Sequence, residues 1–469
     1  MSNVNRARWL TVPALVGAAL IVAACNVKQE LLAPQNPGLV DPGAVANAAA
    51  AYALKVGAVG KTTVVVDGAG TSGNCSGNSE CLWEEIGSLT DEFHNADFQN
   101  TRQDIDQRQM GDDNPSNPYS QVTQVRGFVR DAIASVAKYI PDSTADLAEM
   151  YMSLGFLEMS LAENFCNGIP LGHTINGVFT YGPGLSDAEV LDSASAHLDS
   201  ALAINTKTSA QATFIKQATE ILKARVLIDQ GKFSSAPALV ADVDSKYAYY
   251  MATSQAKGTS LGMWSIVNST ARLSVSDSSE IVNGTATTTK NALPFASAKD
   301  PRVPVTFGGS ANPPVVAEDG STPQYIESLY GRFDPIAMVS GVDARLIEAE
   351  AKLNAGDITG MMTILNALRA APPKISNYQP TAMAALPAPA TQDAAITLFF
   401  REKAFWTFGR GQRLNDERRL MRQYKRTEDQ VFPTGAYFKG GNYGHTIQFA
   451  VTNTELTNPL FKGCTDRNP

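Results

Sequence analysis

The side chains able to do chemistry are dispersed through this 469-residue sequence rather than clustered. His94, His173, His197 and His445 show no metal-ligand spacing, and a general base needs an orienting partner and a pocket as well as a suitable residue type. HExxH, GxSxG, phosphate-loop and dinucleotide signatures are all absent. Glu84/Glu85, Asp91/Glu92 and Asp112/Asp113 are acidic pairs by adjacency. Glycoside hydrolysis needs carboxylates facing each other across a bond, so these pairs read as solvated faces. The stretch GDDNPSN at 111–117 offers oxygens to Ca²⁺ but lacks the periodicity of a known loop. The expectation is no catalytic residue, no metal and no cofactor.

Aromatic rings set among amides and charges carry more information. Trp83, Phe93 and Phe98 lie among Asn95, Asp97, Asn100 and Arg102, while Tyr247, Tyr249, Tyr250 and Trp264 form a second group. A flat ring stacks on the apolar face of a sugar, and neighbouring amides and guanidinium groups bond its hydroxyls. Taken singly, each ring has core burial as its ordinary fate. Trp406, inside a helical stretch, reads as core.

The elements that would position such residues are mostly helical. Val122, Val125, Val129, Ala132, Val136 and Ile140 share one helical face, ended by Pro141. Ser143 and Asp146 offer a capping box for the next helix, with Leu147, Tyr151, Leu154, Leu161 and Phe165 as its stripe. Ser186 and Glu189 cap another, and 210–230 gives one more. The segment 45–59 is helix-compatible, and TTVVVDG has the composition of a short strand. From 247 to 340 Gly, Ser, Thr, Asn and Pro rise and the helical period fades. In 341–426 the period returns, with Gly356 at a break between two apolar runs. Placing Gly231 over Gly356 aligns Ala224 with Ala349, Ala236 with Met361, Leu239 with Ile364 and Val243 with Leu368. That arrangement resembles the tetratricopeptide helix pair, whose faces are buried by stacking.

A family resemblance rests on the C-terminal third. VDARLIEAEAKLNAGD, ILNALR and REKAFWTFGRGQRLNDERR resemble the signature of the SusD/RagB lipoproteins. The matching positions are Arg345, Glu348, Glu350, Asn354, Gly356, Asp357, Asn366, Arg369, Glu402, Lys403, Gly411, Arg413, Asp416 and Arg419. Lys403 stands where the family usually has Arg, and Trp406 and Arg410 where it often has Glu. KDPRVPV and the closing FAVTNTELTNPL, with Glu455, Asn458 and Pro459, are similar to further family motifs. The resemblance covers most of the chain after Cys25 and is strongest from Lys299 onward. It implies an all-α fold of stacked tetratricopeptide-like helix pairs in a superhelix, with long loop-rich insertions and little strand.

The first 24 residues read as a signal peptide: Arg6 and Arg8 precede an apolar run ending in Val22-Ala23-Ala24-Cys25. This ending resembles a lipobox, so Cys25 is expected to carry lipid, and Asn26 after it implies an outer-membrane destination. Residues 25–43 form the lipid-anchored tether and 44–469 a single body, with helical repeats at about 121–243 and 341–426, an irregular insert at 247–340 and a tail at 432–469. Cysteines of an exported chain are more readily disulfides than metal ligands. Cys75 and Cys81 flank a turn-rich spacer and are expected to pair, leaving Cys166 to Cys464 by elimination. A net charge of −8 argues against nucleic acid as partner. Nine Lys/Arg against three Asp/Glu in 401–426 read as a solvated or internally paired helix face.

What the resemblance implies for function is a surface lipoprotein that captures a glycan or other nutrient. Its partner would be a TonB-dependent SusC-like outer-membrane barrel, to which it passes the ligand. By position in the family pattern, ligand contact falls to Trp83 and Trp264, with Asn95, Asn100 and Arg102 as polar contacts. The alternative is a helical-repeat scaffold lipoprotein for envelope assembly.

Overall fold

The computed structural model describes residues 45–67, 81–175, 178–251, 253, 260–282, 285–308 and 316–464. The expected signal peptide, tether, Cys25 and Cys75 lie outside these residues. The chain from Asn47 onward forms one compact unit.

Helix α1 (Ala48–Asp67) starts under Asn47, whose side-chain oxygen accepts from the Ala50 N–H at 2.9 Å. The Thr62 and Thr63 hydroxyls donate back to the Ala58 and Val59 carbonyls, at 3.0 and 3.2 Å. TTVVV, strand-like in composition, therefore continues the helix, because packing and back-bonding override a weak local preference. The short helices α2 (Leu82–Leu89) and α3 (Asn100–Asp106) come next. Helix α4 (Tyr119–Tyr139) buries Val122, Val125, Val129, Ala132 and Val136 as its spacing predicts.

Helix α5 (Thr144–Asn164) is the central post, enclosed on nearly every side. Its buried acids Glu149, Glu158 and Glu163 are partnered by Lys55, by Arg126 at 2.8 Å and by Arg225 at 2.6 Å respectively. The expected box at its start does not form. Ser143 bonds the Asp146 carboxylate instead of a backbone N–H, and Asp146 also faces Lys55 at 3.1 Å. Helix α6 (Asp187–Ile204) does carry its box, with Ser186 N–H donating to Glu189 at 2.8 Å and Glu189 N–H to Ser186 at 3.3 Å. Helix α7 (Ala210–Asp229) packs beside α5 and α6.

The two aligned glycines behave alike. Gly231 and Gly356 have φ of +74° and +77°, the left-handed conformation that ends a helix cheaply only without a Cβ. The chain beyond them takes two different courses. After Gly356, α9 (Gly341–Asn354) is answered by a full partner, α10 (Ile358–Ala370). After Gly231 only one turn forms, α8 (Pro237–Val240), so the expected first repeat lacks its second helix. β-Branched and acidic residues in VADVDS hold little helix propensity, and Asp244 accepts the Lys246 N–H at 2.7 Å to turn the chain into a strand.

Beside a short helical segment at Trp264–Ser269, the strands of the insert form only two-stranded antiparallel pairs among the described residues. Ala248–Met251 pairs with Ile336–Ser340, Leu273–Val275 with Phe93–Asn95, and Tyr325–Glu327 with Val305–Phe307. The fold is thus all-α, with stacked helix pairs and little strand.

Helices α11 (Gln392–Trp406) and α12 (Arg413–Arg422) close the core. The positively charged block they carry is internally paired. Arg413 reaches Asp91 at 2.7 Å, Arg418 reaches Asp187 at 2.8 Å, and Arg419 reaches Glu350. Lys403 pairs with Asp416 and Arg410 with Asp343, both at 2.6 Å. Of the three departures from the family pattern, Lys403 and Arg410 thus find carboxylates, and Trp406 is buried. The C-terminal tail returns across α5, where Cys166 N–H donates to the Phe449 carbonyl at 2.9 Å. Cys166 is disulfide-bonded to Cys464, with Cα atoms 5.6 Å apart.

Candidate functional site

The residues expected to touch ligand fall into different places. Trp83 is 3% exposed and lies under Gly411, where a Cβ would stand 2.0 Å from its Cδ1. It is a core ring, held there because α2 is buried on all sides. Asn95 is fully buried and spends its side chain on the local turn, accepting from Asp97 N–H and donating to Asp97 C=O, each at 3.1 Å. Arg102 is buried against Asp97. All three are buried within the fold rather than presented at its surface. Asn100 is exposed at the start of α3, and Trp264 is half-buried beneath the Arg332 guanidinium, 5.4 Å from its ring.

What these buried side chains present is Phe98, whose ring is 68% exposed. The strand Phe93–Asn95 brings it to the surface, and the Asn95 N–H is tied to Asp106 at 2.7 Å. Burial pushes the Asp106 carboxyl up to about 6 even though His94 and the Asn95 N–H favour its charged form. The next turn of chain is fixed by three distant segments. Ala96 N–H donates to the Arg272 carbonyl at 2.9 Å, Asp319 N–H to the Ala96 carbonyl at 3.0 Å, and Lys439 to the Asp97 carbonyl at 2.9 Å. Lys439 also pairs with Asp319 at 2.8 Å. Partial burial opposes its charge, yet bonds from Lys439 and Thr322 hold Asp319 down at about 2.

A second ring pair lies on the same framework. Phe307, 42% exposed, stands 5.1 Å from Tyr325 on the 305–307/325–327 hairpin. Tyr325 N–H donates to Ser274 Oγ at 2.9 Å, and Ser274 is paired with His94 in the neighbouring two-stranded sheet. Phe98, Arg272, Phe307, Tyr325 and Lys439 therefore come from one network of strands and turns. Exposed rings on a framework that also carries a partly exposed guanidinium are the groups a polyhydroxylated ligand with apolar faces would use. Sequence reading noted Phe98 without selecting it and passed over the others. Only their pairing across the fold distinguishes them.

The remaining chemistry has structural employment. His94 is buried against Glu280 at 2.9 Å, and His197 bonds Glu158 at 2.8 Å. In the 111–117 stretch, Asn114 accepts the Ser116 N–H at 2.9 Å and Asn117 the Tyr119 N–H at 3.0 Å, so these oxygens serve the turn. Among the described residues no group of His, Cys, Asp or Glu is arranged to hold a metal ion. An open groove of about 500 Å³ lies elsewhere, lined by small side chains such as Ala238, Ala241, Ala351 and Ala355. Its lining includes no aromatic ring, and its charges are Glu348 and Lys352.

No protein-family model and no curated protein matches the sequence. Solved structures do match the fold. A SusD superfamily protein from Bacteroides vulgatus aligns over 88% of this chain and 98% of its own, at TM-score 0.57 and 14% identity. A laminarin-binding SusD-like protein aligns over 89% and 99%, at TM-score 0.54 and 15% identity. A sugar-binding protein of B. vulgatus, so described as a provisional assignment, aligns over 90% and 100% at TM-score 0.56 and 14% identity. At such identities the likeness is one of fold, and the fold is SusD-like.

Proposed function

We propose that this SusD-like chain is a glycan-capturing lipoprotein of the outer membrane, held by lipid at Cys25 and delivering its ligand to a TonB-dependent SusC-like barrel. The observation that carries the reading is Phe98: a large exposed ring on a loop clamped by buried and bonded neighbours, on a fold whose solved examples include a laminarin binder. An exposed aromatic loses little on folding by being held still, and gains its use from a ring stacked against it. The proposed role is binding without turnover. Titration of purified protein with a panel of oligosaccharides tests it, each run with Phe98→Ala alongside. The ring is worth about 0.5–1.5 kcal/mol beyond lost area, so affinity should fall roughly three- to tenfold or more in the variant. Its melting temperature should not move, since the ring is not in the core. Absence of binding by the parent protein to every glycan, or cleavage of one, would contradict the reading.

A further inference from the structure

The candidate surface contains one cation whose position its neighbours do not explain. Arg272 has a side chain 29% exposed, and among the described residues its one carboxylate within ion-pair distance is Asp97, with Nε at 3.8 Å from the oxygen. That is beyond hydrogen-bond length. Asp97 is already engaged: one oxygen takes the Arg102 guanidinium and the other the Gln99 N–H at 3.1 Å. The buried Nε of Arg272 is left with no hydrogen-bond partner among the described residues. Lys439 is occupied by Asp319. Glu318, on the adjoining turn through its N–H to the Ala271 carbonyl at 2.9 Å, is exposed and forms no ion pair with Arg272.

The backbone at this point is also costly. Ala271 has φ of +53°, a conformation that non-glycine residues adopt at some expense. It is held there from both sides, because the Ala271 carbonyl accepts from Glu318 and the Arg272 carbonyl from Ala96. The chain at Arg272 is thereby fixed beside the loop that carries Phe98, and the guanidinium, near Asp97, is partly in solvent. A planar fork of N–H groups matches a carboxylate in two-point fashion and matches a lone hydroxyl poorly.

We propose that Arg272 makes this surface selective for acidic glycans, those carrying a uronate carboxylate, with Phe98 stacking on the sugar ring next to it. The inference rests on the glycan-binding reading above. A neutral glycan would leave the guanidinium with weaker acceptors, whereas a uronate supplies a hydrogen-bonding carboxylate, which Asp97, 3.8 Å away and shared with Arg102, does not.

The test is a matched pair of ligands: uronate-containing oligosaccharides and the same oligosaccharides with carboxyls reduced to alcohols. Parent protein should bind the acidic form roughly tenfold or more tightly than the reduced form, in keeping with a charge-assisted hydrogen bond. Arg272→Gln should abolish that preference by weakening the acidic form far more than the reduced form, and Phe98→Ala should weaken both to a similar degree. Rising salt should shrink the parent's preference, since the guanidinium is partly in solvent. Equal binding of both forms by the parent, or a preference that survives in Arg272→Gln, overturns the acid selectivity and leaves glycan capture standing. Binding of neutral glycans alone does the same. Failure to bind any glycan at all overturns both.

Discussion

Phe98 and Trp83 show how little residue type alone decides. Both are aromatic, both lie beside polar residues, and the larger ring is the buried one. Trp83 fills the space left by Gly411, whereas Phe98 is lifted out by the Asn95–Asp97–Arg102 turn. The polar residues near it, read from sequence as ligand contacts, are instead the scaffold of the loop. A related point holds for Glu92, fully buried, with one oxygen accepting the Gly409 N–H at 3.0 Å and the other unpartnered among the described residues. Burial pushes its carboxyl from an ordinary 4.5 up to about 8, though the Gly409 bond pulls the other way. A raised acid binds its proton more tightly folded than unfolded, so the stability it contributes is full below about 4.5 and lost as pH rises toward about 8. Glu92→Gln should therefore raise the melting temperature by a few degrees at pH 8 and change it little at pH 4.5. Melts across that range check it. A larger gain at the acid end would mean the carboxylate is stabilised when charged.

At the scale of elements, the C-terminal signature works as a set of fastenings. Arg345 donates to the Val240 and Val243 carbonyls at 2.7 and 3.2 Å, tying α9 to the abbreviated first repeat. Asn366 and Arg369 hold the Pro- and Ala-rich segment 381–390 through the Leu386 and Ala384 carbonyls, at 3.1 and 2.8 Å. Glu402 takes both Arg302 and Arg369. Arg413 is the sharpest test of this role, because it joins α12 to the turn after α2 through Asp91 and is itself 5% exposed. Arg413→Ala strands Asp91 and Glu417 without their main counter-charge. Breaking a buried pair costs about 3–5 kcal/mol. Denaturant unfolding should show a loss of that order, and a loss near zero would mean that the helix is held by its apolar contacts alone. These fastenings also explain why helices and fold type were legible in the sequence. They join residues whose types are fixed by burial and charge, within regular periods. The missing partner of the first repeat was not legible, because Leu239 and Val243 keep helical spacing although the helix stops between them.

For the whole molecule, the fold is shared at 14–15% identity with solved SusD-like structures, where no family model matches the sequence. The candidate site was legible only in part. Its parts lie near residues 98, 272, 307, 325 and 439, and nothing local to any one of them announces the others. They meet through backbone pairings such as Ala96 with Arg272 and Asp319 with Ala96, which no periodicity encodes. Sequence reading singled out Trp83, which is buried, and noted Phe98 in the same stretch, which is exposed. The most direct test of the account is where a bound glycan protects the backbone. Hydrogen–deuterium exchange, with and without the tightest oligosaccharide from the panel, should show slowed exchange at 96–99, 271–275, 305–307 and 318–325. Protection centred instead on the alanine-lined groove at 237–241 and 351–355, with those four segments unchanged, would contradict it.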